Sequence, residues 1–479
     1  MEPVGVGVVV GGSYESILIR ENKDRRIEIG DLLVAKENDR KILLKVSSLR
    51  FGEGEENHSL PINYAEIPTV ATARPVIVMS PGGIVPAKII PRLGSEVVYA
   101  SRDDLEPLTG SDGKGIYLGK LRSGSKIIDL DLFLNGEDLF TQHVLVAATT
   151  GRGKSNLLKT MIWSALSRGG YGILVLDSHD EYYGRSGKGV KDHESWKQGN
   201  MYFSTNPPPG ASSLVFNLST IEPDHFFGIM SLTDAQKQAM IVYNREYGDK
   251  WLEKIVIGQD QELVDSRTAR VLRRKFRLSL GIYARNGRIV SETNAFSQTA
   301  GSSTIKSIVS ALESGKVVIL DTSRIGDEAE LLIGSIVATE VFSIYRDRKG
   351  DGTLDGKAPV SILIEEAPRV LSEEKIEEES NIFASIAREG RKFRVGLIAV
   401  TQIVSLIPKS ILTNLNTKII LGNEMSLERK VLLESCSNDL SFEDTAVASL
   451  DRGEAIVSSI LTKFGIPIYT PLFGSSGGS

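Results

Sequence analysis

The chain has 479 residues, 41% of them apolar, and a formal net charge of −5. That length exceeds a single hydrophobic core and predicts two or three domains. The acidic balance excludes a uniformly basic nucleic-acid binder, so any contact with DNA must come from a local patch or a pore lining. The lone cysteine, Cys436, excludes an internal disulfide and points to a reducing compartment.

Residues 1–100 read as a small β-barrel. Val4, Val6, Val8 and Val10 alternate up to the Gly11-Gly12 turn. Short strands are predicted at Leu32–Ala35, Lys41–Val46, Val76–Met79 and Ile84–Ile90. Its two compatible readings are a collar for oligomerisation, which is favoured, and a partner-docking surface. Residues 101–115 are polar and glycine-rich and read as a linker, and residues 116–140 as a hairpin leading into the next strand.

Val144–Ala147 is a short apolar run, and Leu157, Leu158, Met161, Ile162, Ala165 and Leu166 recur at helical spacing. Between them lies Ala148-Thr149-Thr150-Gly151-Arg152-Gly153-Lys154-Ser155-Asn156. A strand, a glycine-rich turn and a helix with Gly-Lys-Ser at the junction make a P-loop. Backbone N–H groups from Thr150 through Asn156 cradle phosphates in such a turn. Lys154 then reaches the β- and γ-phosphates of ATP, and the Ser155 hydroxyl holds Mg²⁺. The pattern has Gly where this chain has Ala148, which the turn tolerates if its φ is negative.

Ile173–Leu176 is a second predicted strand, closing on Asp177-Ser178-His179-Asp180-Glu181-Tyr182. Carboxyl ends of strands are where α/β sheets bind ligands, so Asp177 and Glu181 are candidates for the nucleotide site; the alternative for Asp177 is a cap on the following backbone. His179 has no Cys or His at ligand spacing. Residues 183–213 read as loop, with Arg185, Lys188 and Lys191 either facing DNA or simply solvated.

From about residue 222 to 312 the strands are expected to stop. Helices are predicted over Asp224–Tyr247, Asp249–Ile257 and Ser266–Ile282, the last carrying Arg267, Arg270, Arg273, Arg274 and Arg277 near one face. This stripe has three readings: phosphate-backbone binding, pairing with a neighbouring subunit, or a solvated face.

The α/β pattern resumes with strands at Val317–Leu320 and Pro359–Ile364, the second ending in Glu365-Glu366. Adjacent carboxylates there suit the acidic partner of a P-loop. Glu365 orients the Mg²⁺ ligand shell, and Glu366 is the general base toward water. Alternation points their side chains apart, so a bend at the strand end is required for both to serve one site. Glu373–Glu379 reads as a solvated helix face, and Phe383–Phe393 as a helix with Arg388 and Arg391 at its end. Val395–Val400 is a strand closing on Thr401-Gln402, where Gln402 can report on the γ-phosphate.

The fold class is therefore α/β: a RecA-like P-loop ATPase core with an N-terminal small β-barrel and an inserted helical subdomain. The expected boundaries are barrel 1–100, linker 101–115, core 116–220 and 313–473, insertion 221–312, and a flexible tail or cloning remnant over 474–479. No apolar run is long enough to span a bilayer and no secretory leader is visible, so a cytoplasmic protein without membrane attachment is expected.

Taken together, the motif residues resemble the HerA–FtsK branch of ring-forming P-loop ATPases, and the HerA family most closely. The resemblance rests on Ala148–Asn156, Val175–Tyr182, Ile362–Ala367, Ala387–Lys392 with Val400–Gln402, and Val4–Ser13. Family members often carry Gly at position 148 and His at 368, where this chain has Ala148 and Pro368. The resemblance implies a homohexamer that translocates or unwinds double-stranded DNA and works with a NurA-type nuclease in DNA-end resection. It also implies ATP held between subunits and an arginine finger from the neighbour, for which Arg391 aligns best and Arg388 second. Rivals are an ATP-switched scaffold on DNA ends, a rotary ATPase subunit and a secretion motor. The insertion and the Arg391–Gln402 spacing argue against the rotary form.

Overall fold

The computed structural model describes residues 5–52, 68–110, 115–377 and 381–475. Val4, Ser111–Lys114, Glu378–Glu379 and most of the 474–479 tail lie outside the described residues. The chain divides into two compact units. One comprises Met1–Asn135, Ala147–Leu157 and Asn416–Ser479; the other comprises Gly136–Val146 and Leu158–Leu415.

In the first unit, strands Ser16–Glu21, Gly7–Ser13, Glu96–Tyr99, Leu32–Glu37, Arg40–Phe51 and Thr69–Ser80 follow one another around a barrel. Antiparallel pairing of Ser16–Glu21 with Thr69–Ser80 closes it. Closure removes the exposed strand edges that an open sheet of this size would leave. Ile17, Ile19, Leu33, Ile42, Leu44 and Ala73 fill its interior. The first strand turns differently from the predicted alternation: Gly7 and Val9 face inward, Val8 is half-buried and Val10 is exposed. Gly7 is required there, because a Cβ would stand 2.7 Å from the Arg20 carbonyl oxygen.

The expected linker is partly folded. Ser101 and Asp104 form a capping box over the helical turn Arg102–Leu105, Leu105 is buried, and Asp104 accepts a 2.5 Å hydrogen bond from Lys41. The predicted hairpin is present as Ile116–Ser123 and Lys126–Leu134. It belongs to an antiparallel run in the order Thr417–Leu421, Glu454–Ser459, Ile466–Tyr469, Ile116–Ser123, Lys126–Leu134. Lys45, 1% exposed, joins barrel to C-terminal segment through Glu443 at 2.5 Å and the Gly465 carbonyl at 2.9 Å.

In the second unit the sheet runs Ser212–Ser213, Met201–Ser204, Val317–Asp321, Gly172–Asp177, Val360–Ile364, Val395–Thr401, and then the P-loop strand Val144–Ala147. The registered pairs from Ser212–Ser213 through Val395–Thr401 are all parallel. Gly172–Asp177, Val317–Asp321, Val360–Ile364 and Val395–Thr401 are buried throughout and rich in Val, Ile and Leu, as two covered faces require. Met201–Ser204 is a core strand inside the stretch expected to be loop.

The insertion has helices Asp234–Tyr247, Trp251–Ile257 and Ser266–Leu280, packed around Phe226, Trp251 and Phe276. Strands do not stop there. Ile282–Arg285 and Arg288–Ser291 form a hairpin turning on Asn286-Gly287, both at positive φ, which is the turn chemistry of a tight hairpin. No helix among the described residues is long and apolar enough to cross a membrane.

Candidate nucleotide site

The P-loop lies in the first unit. Ala148 is absent from the residues with positive φ, so its side chain is tolerated as expected; Gly151 and Gly153 have φ of +81° and +107° and could not be replaced without strain. Lys154 opens the helix Lys154–Arg168, and its ammonium donates to the carbonyls of Ala148 at 3.0 Å and Thr149 at 3.3 Å. Asn156 donates to the Pro471 carbonyl at 2.9 Å and accepts from the Phe473 N–H at 2.7 Å, which pins the C-terminal segment to the helix start. Arg152 turns to Glu424, with Nε donating at 3.0 Å. That contact and the Thr149 hydroxyl bring the Glu424 carboxyl down to about 2.

The strand-end carboxylates lie in the second unit. Asp177 is 0% exposed and accepts backbone N–H bonds from Glu181 at 2.9 Å and Tyr182 at 3.1 Å. That is the capping geometry, and burial raises its pKa to about 7, with Glu365 and Asp180 adding to the rise. The Glu181 side chain is exposed. Tyr182, fully buried, donates its hydroxyl to Glu365 Oε1 at 2.6 Å. Burial lifts the Glu365 pKa, the charges of Glu181 and Glu366 lift it further, and the Tyr182 hydrogen bond and His179 oppose them.

Glu366 has φ of +49°, in the left-handed region. This is the bend that alternation demanded: it breaks the strand's rhythm immediately after Glu365. Gln402, at the end of the next strand, donates to Glu366 Oε1 at 3.1 Å. The structure thus brings Glu366 and Gln402 together and sets Glu365 beside Tyr182. Of the arginines, Arg388 is exposed and donates to the Ile376 carbonyl at 3.1 Å, and Arg391 is exposed on the 3₁₀ turn Gly390–Phe393.

Arg185 answers neither of its two expectations. Its guanidinium donates to Asp321 at 2.7 Å, to Tyr202 at 2.7 Å and to Ser204 at 3.1 Å, and Asp180 lies 3.0 Å away. Four of the stripe arginines are exposed, but Arg273 donates to the Ile255 carbonyl at 3.0 Å. Sequence reasoning missed Tyr182 as a partner of Glu365 and Glu424 as a partner of Arg152. Glu424 carried a weak signal, since it comes three residues after the apolar run Ile419–Leu421.

The donors suit nucleotide and Mg²⁺. The turn is held open by glycines at positive φ, and a serine hydroxyl and a carboxylate are hard oxygen ligands. Among the described residues no group of three or more His, Cys, Asp or Glu gathers as a metal site. A Mg²⁺ that keeps its waters needs only one or two protein oxygens.

A parallel sheet with a P-loop after one strand, and paired acids and a glutamine at the carboxyl ends of others, defines a RecA-like P-loop ATPase. The conjugative coupling protein TrwB shares this fold, with a TM-score of 0.50 at 12% identity over 78% of this chain and 93% of that one. The family model described as the central domain of helicase HerA matches residues 116–341. The DNA double-strand break repair helicase HerA of Pyrococcus furiosus is 25% identical over 94% of this chain and 89% of its own. Its counterpart in Sulfurisphaera tokodaii is 26% identical over 77% and 71%. The chain is thus similar to HerA helicases over most of its length, and its residues 116–341 match that family's central domain.

Proposed function

We propose that the protein is an ATP-driven, homohexameric DNA translocase and helicase that processes DNA ends in the cytoplasm together with a NurA-type nuclease. The observation that carries the ATPase reading is the left-handed bend at Glu366 with Gln402 bonded to its carboxylate, which supports Glu366 as the base. The DNA-end reading is supported by the relatives, named as double-strand break repair helicases.

Bound Mg²⁺ and ATP supply a polarised γ-phosphoryl group open to in-line attack by water. Lys154 and the N–H groups of residues 150–156 neutralise phosphate charge. Ser155 would hold the Mg²⁺ and Glu365, fixed in orientation by Tyr182, would orient its ligand shell through water. Glu366 accepts the proton from water, and the Gln402 amide keeps its carboxylate aimed. Asp177 and Glu181 shape the adjoining loop. Exposed Arg391 reaches the neighbouring subunit's nucleotide as the finger, with Arg388 as the second choice.

The test is ATP turnover with and without linear double-stranded DNA across salt concentrations. Stimulation that fades as salt rises is expected, because phosphate contacts release counterions. Turnover indifferent to DNA would move the reading to a rotary or secretion motor, and ATP-dependent DNA binding without stimulated turnover would move it to a scaffold.

A further inference from the structure

An arginine within a phosphate-binding turn suggests a phosphate ligand, yet the Arg152 guanidinium is engaged elsewhere. Nε donates to Glu424 Oε1 at 3.0 Å, Nη2 bonds the same oxygen, and Nη1 donates to the Leu450 carbonyl at 3.0 Å. The other Glu424 oxygen accepts the Thr149 hydroxyl at 2.8 Å. One carboxylate therefore grips the turn at two points, three residues apart. Backbone bonds run beside it, from the Thr149 N–H to the Gly422 carbonyl and from the Gly453 N–H to the Arg152 carbonyl, both 3.2 Å. Glu424 is itself held from behind. Arg429 donates to the Glu424 carbonyl at 2.8 Å and pairs with Asp444 through Nε at 2.8 Å and Nη2 at 3.1 Å.

We propose that Glu424 is a positioning residue of the phosphate loop, and that Arg152 acts through Glu424 and Leu450 to set the loop's shape and is not a phosphate ligand. This rests on the nucleotide reading of the loop given above. The clasp is half-exposed, so its contribution to global stability is small. Its effect is preorganisation: N–H donors already facing the phosphates spare the cost of ordering them on binding.

The two roles for Arg152 differ in sign. Were it a phosphate ligand, Glu424 would compete for its charge, so Glu424→Gln would tighten nucleotide binding while Arg152→Gln weakened it. As a clasp, either change loosens the loop, and the second change finds nothing left to break.

The experiment titrates N-methylanthraniloyl-ATP with Mg²⁺ onto the full chain, comparing wild type, R152Q, E424Q, the double variant, R152K and K154A, with melting curves and steady-state turnover alongside. Each single Gln variant is expected to weaken Kd by roughly fivefold to tenfold, with the double within about twofold of the worse single, as coupled neighbours behave. The loss falls on KM more than on kcat, melting is unchanged, and R152K, which keeps the charge without the planar fork, stays weak. Tighter or unaltered binding by E424Q, additive losses in the double variant, or full recovery in R152K would each overturn the proposal. Should K154A bind as tightly as wild type, the nucleotide reading of the loop fails first.

Discussion

The phosphate loop is a partly exposed turn whose shape comes from glycine backbone and from clasps on its outer side, through Glu424, Leu450 and Gly453. The strand-end acids are the reverse: side chains sunk at the edge of a buried sheet, held one at a time by a phenol and an amide. In the loop, charge is kept accessible, and the carboxylate beside it is driven down to about 2 by its arginine. At the acids, burial is the leading influence and pushes both Asp177 and Glu365 upward. A site that must grip a polyanion relies on cations and backbone donors in an open turn, whereas the strand ends hold their carboxylates one by one with single hydrogen-bond donors.

Substitutions separate the two halves. Lys154→Ala should abolish ATP turnover while leaving the circular-dichroism spectrum and melt intact, because it removes charge neutralisation and no core. Glu366→Gln should lower turnover by about a hundredfold to ten-thousandfold, the range of a lost general base, with nucleotide affinity retained. If both variants lost binding alike, the division between gripping and proton transfer would collapse. Arg391→Ala should abolish turnover, and mixed rings with Lys154→Ala subunits should regain part of it; absence of recovery at every mixing ratio would count against a role in trans.

Tyr182→Phe should cost about 1.5–3 kcal/mol in denaturant unfolding, the worth of a hydrogen bond to a charged group, with a smaller loss in turnover. A further effect concerns pH. The folded-state pKa of Asp177 is raised from 3.8 to about 7, so the native state holds the proton more tightly than the unfolded chain. The stability this group contributes is full below pH 4 and is lost as pH rises through 7. Asp177→Asn should therefore flatten the fall in melting temperature between pH 5 and pH 8, and an unchanged slope would assign that fall elsewhere.

The P-loop was legible because its meaning is local: spacing, glycines at positive φ and the strand and helix on either side. The same holds for Glu365-Glu366, where adjacency alone required the bend later found at Glu366. What was hidden is tertiary. Tyr182 meets Glu365 across 183 residues, and Arg152 meets Glu424 across 272, distances over which no periodicity speaks. Arg185 looked like loop charge because Asp321 comes from a strand far along the chain, and because Met201–Ser204, which brings Tyr202, is too short to announce itself as a strand. The hairpin at Asn286-Gly287 was readable from its turn residues, but the basic helical run before it dominated the pattern.

The backbone at Glu366 sets folding and work against each other. A left-handed conformation costs an ordinary residue about 1 kcal/mol or more, and glycine adopts it freely. A search for thermostable variants would therefore gravitate to Glu366→Gly, and, on the base role proposed above for Glu366, every protein it returned would be sturdier and unable to hydrolyse ATP. On that reading a single substitution at this position would raise stability and remove turnover together, the reverse of what selection for activity would keep.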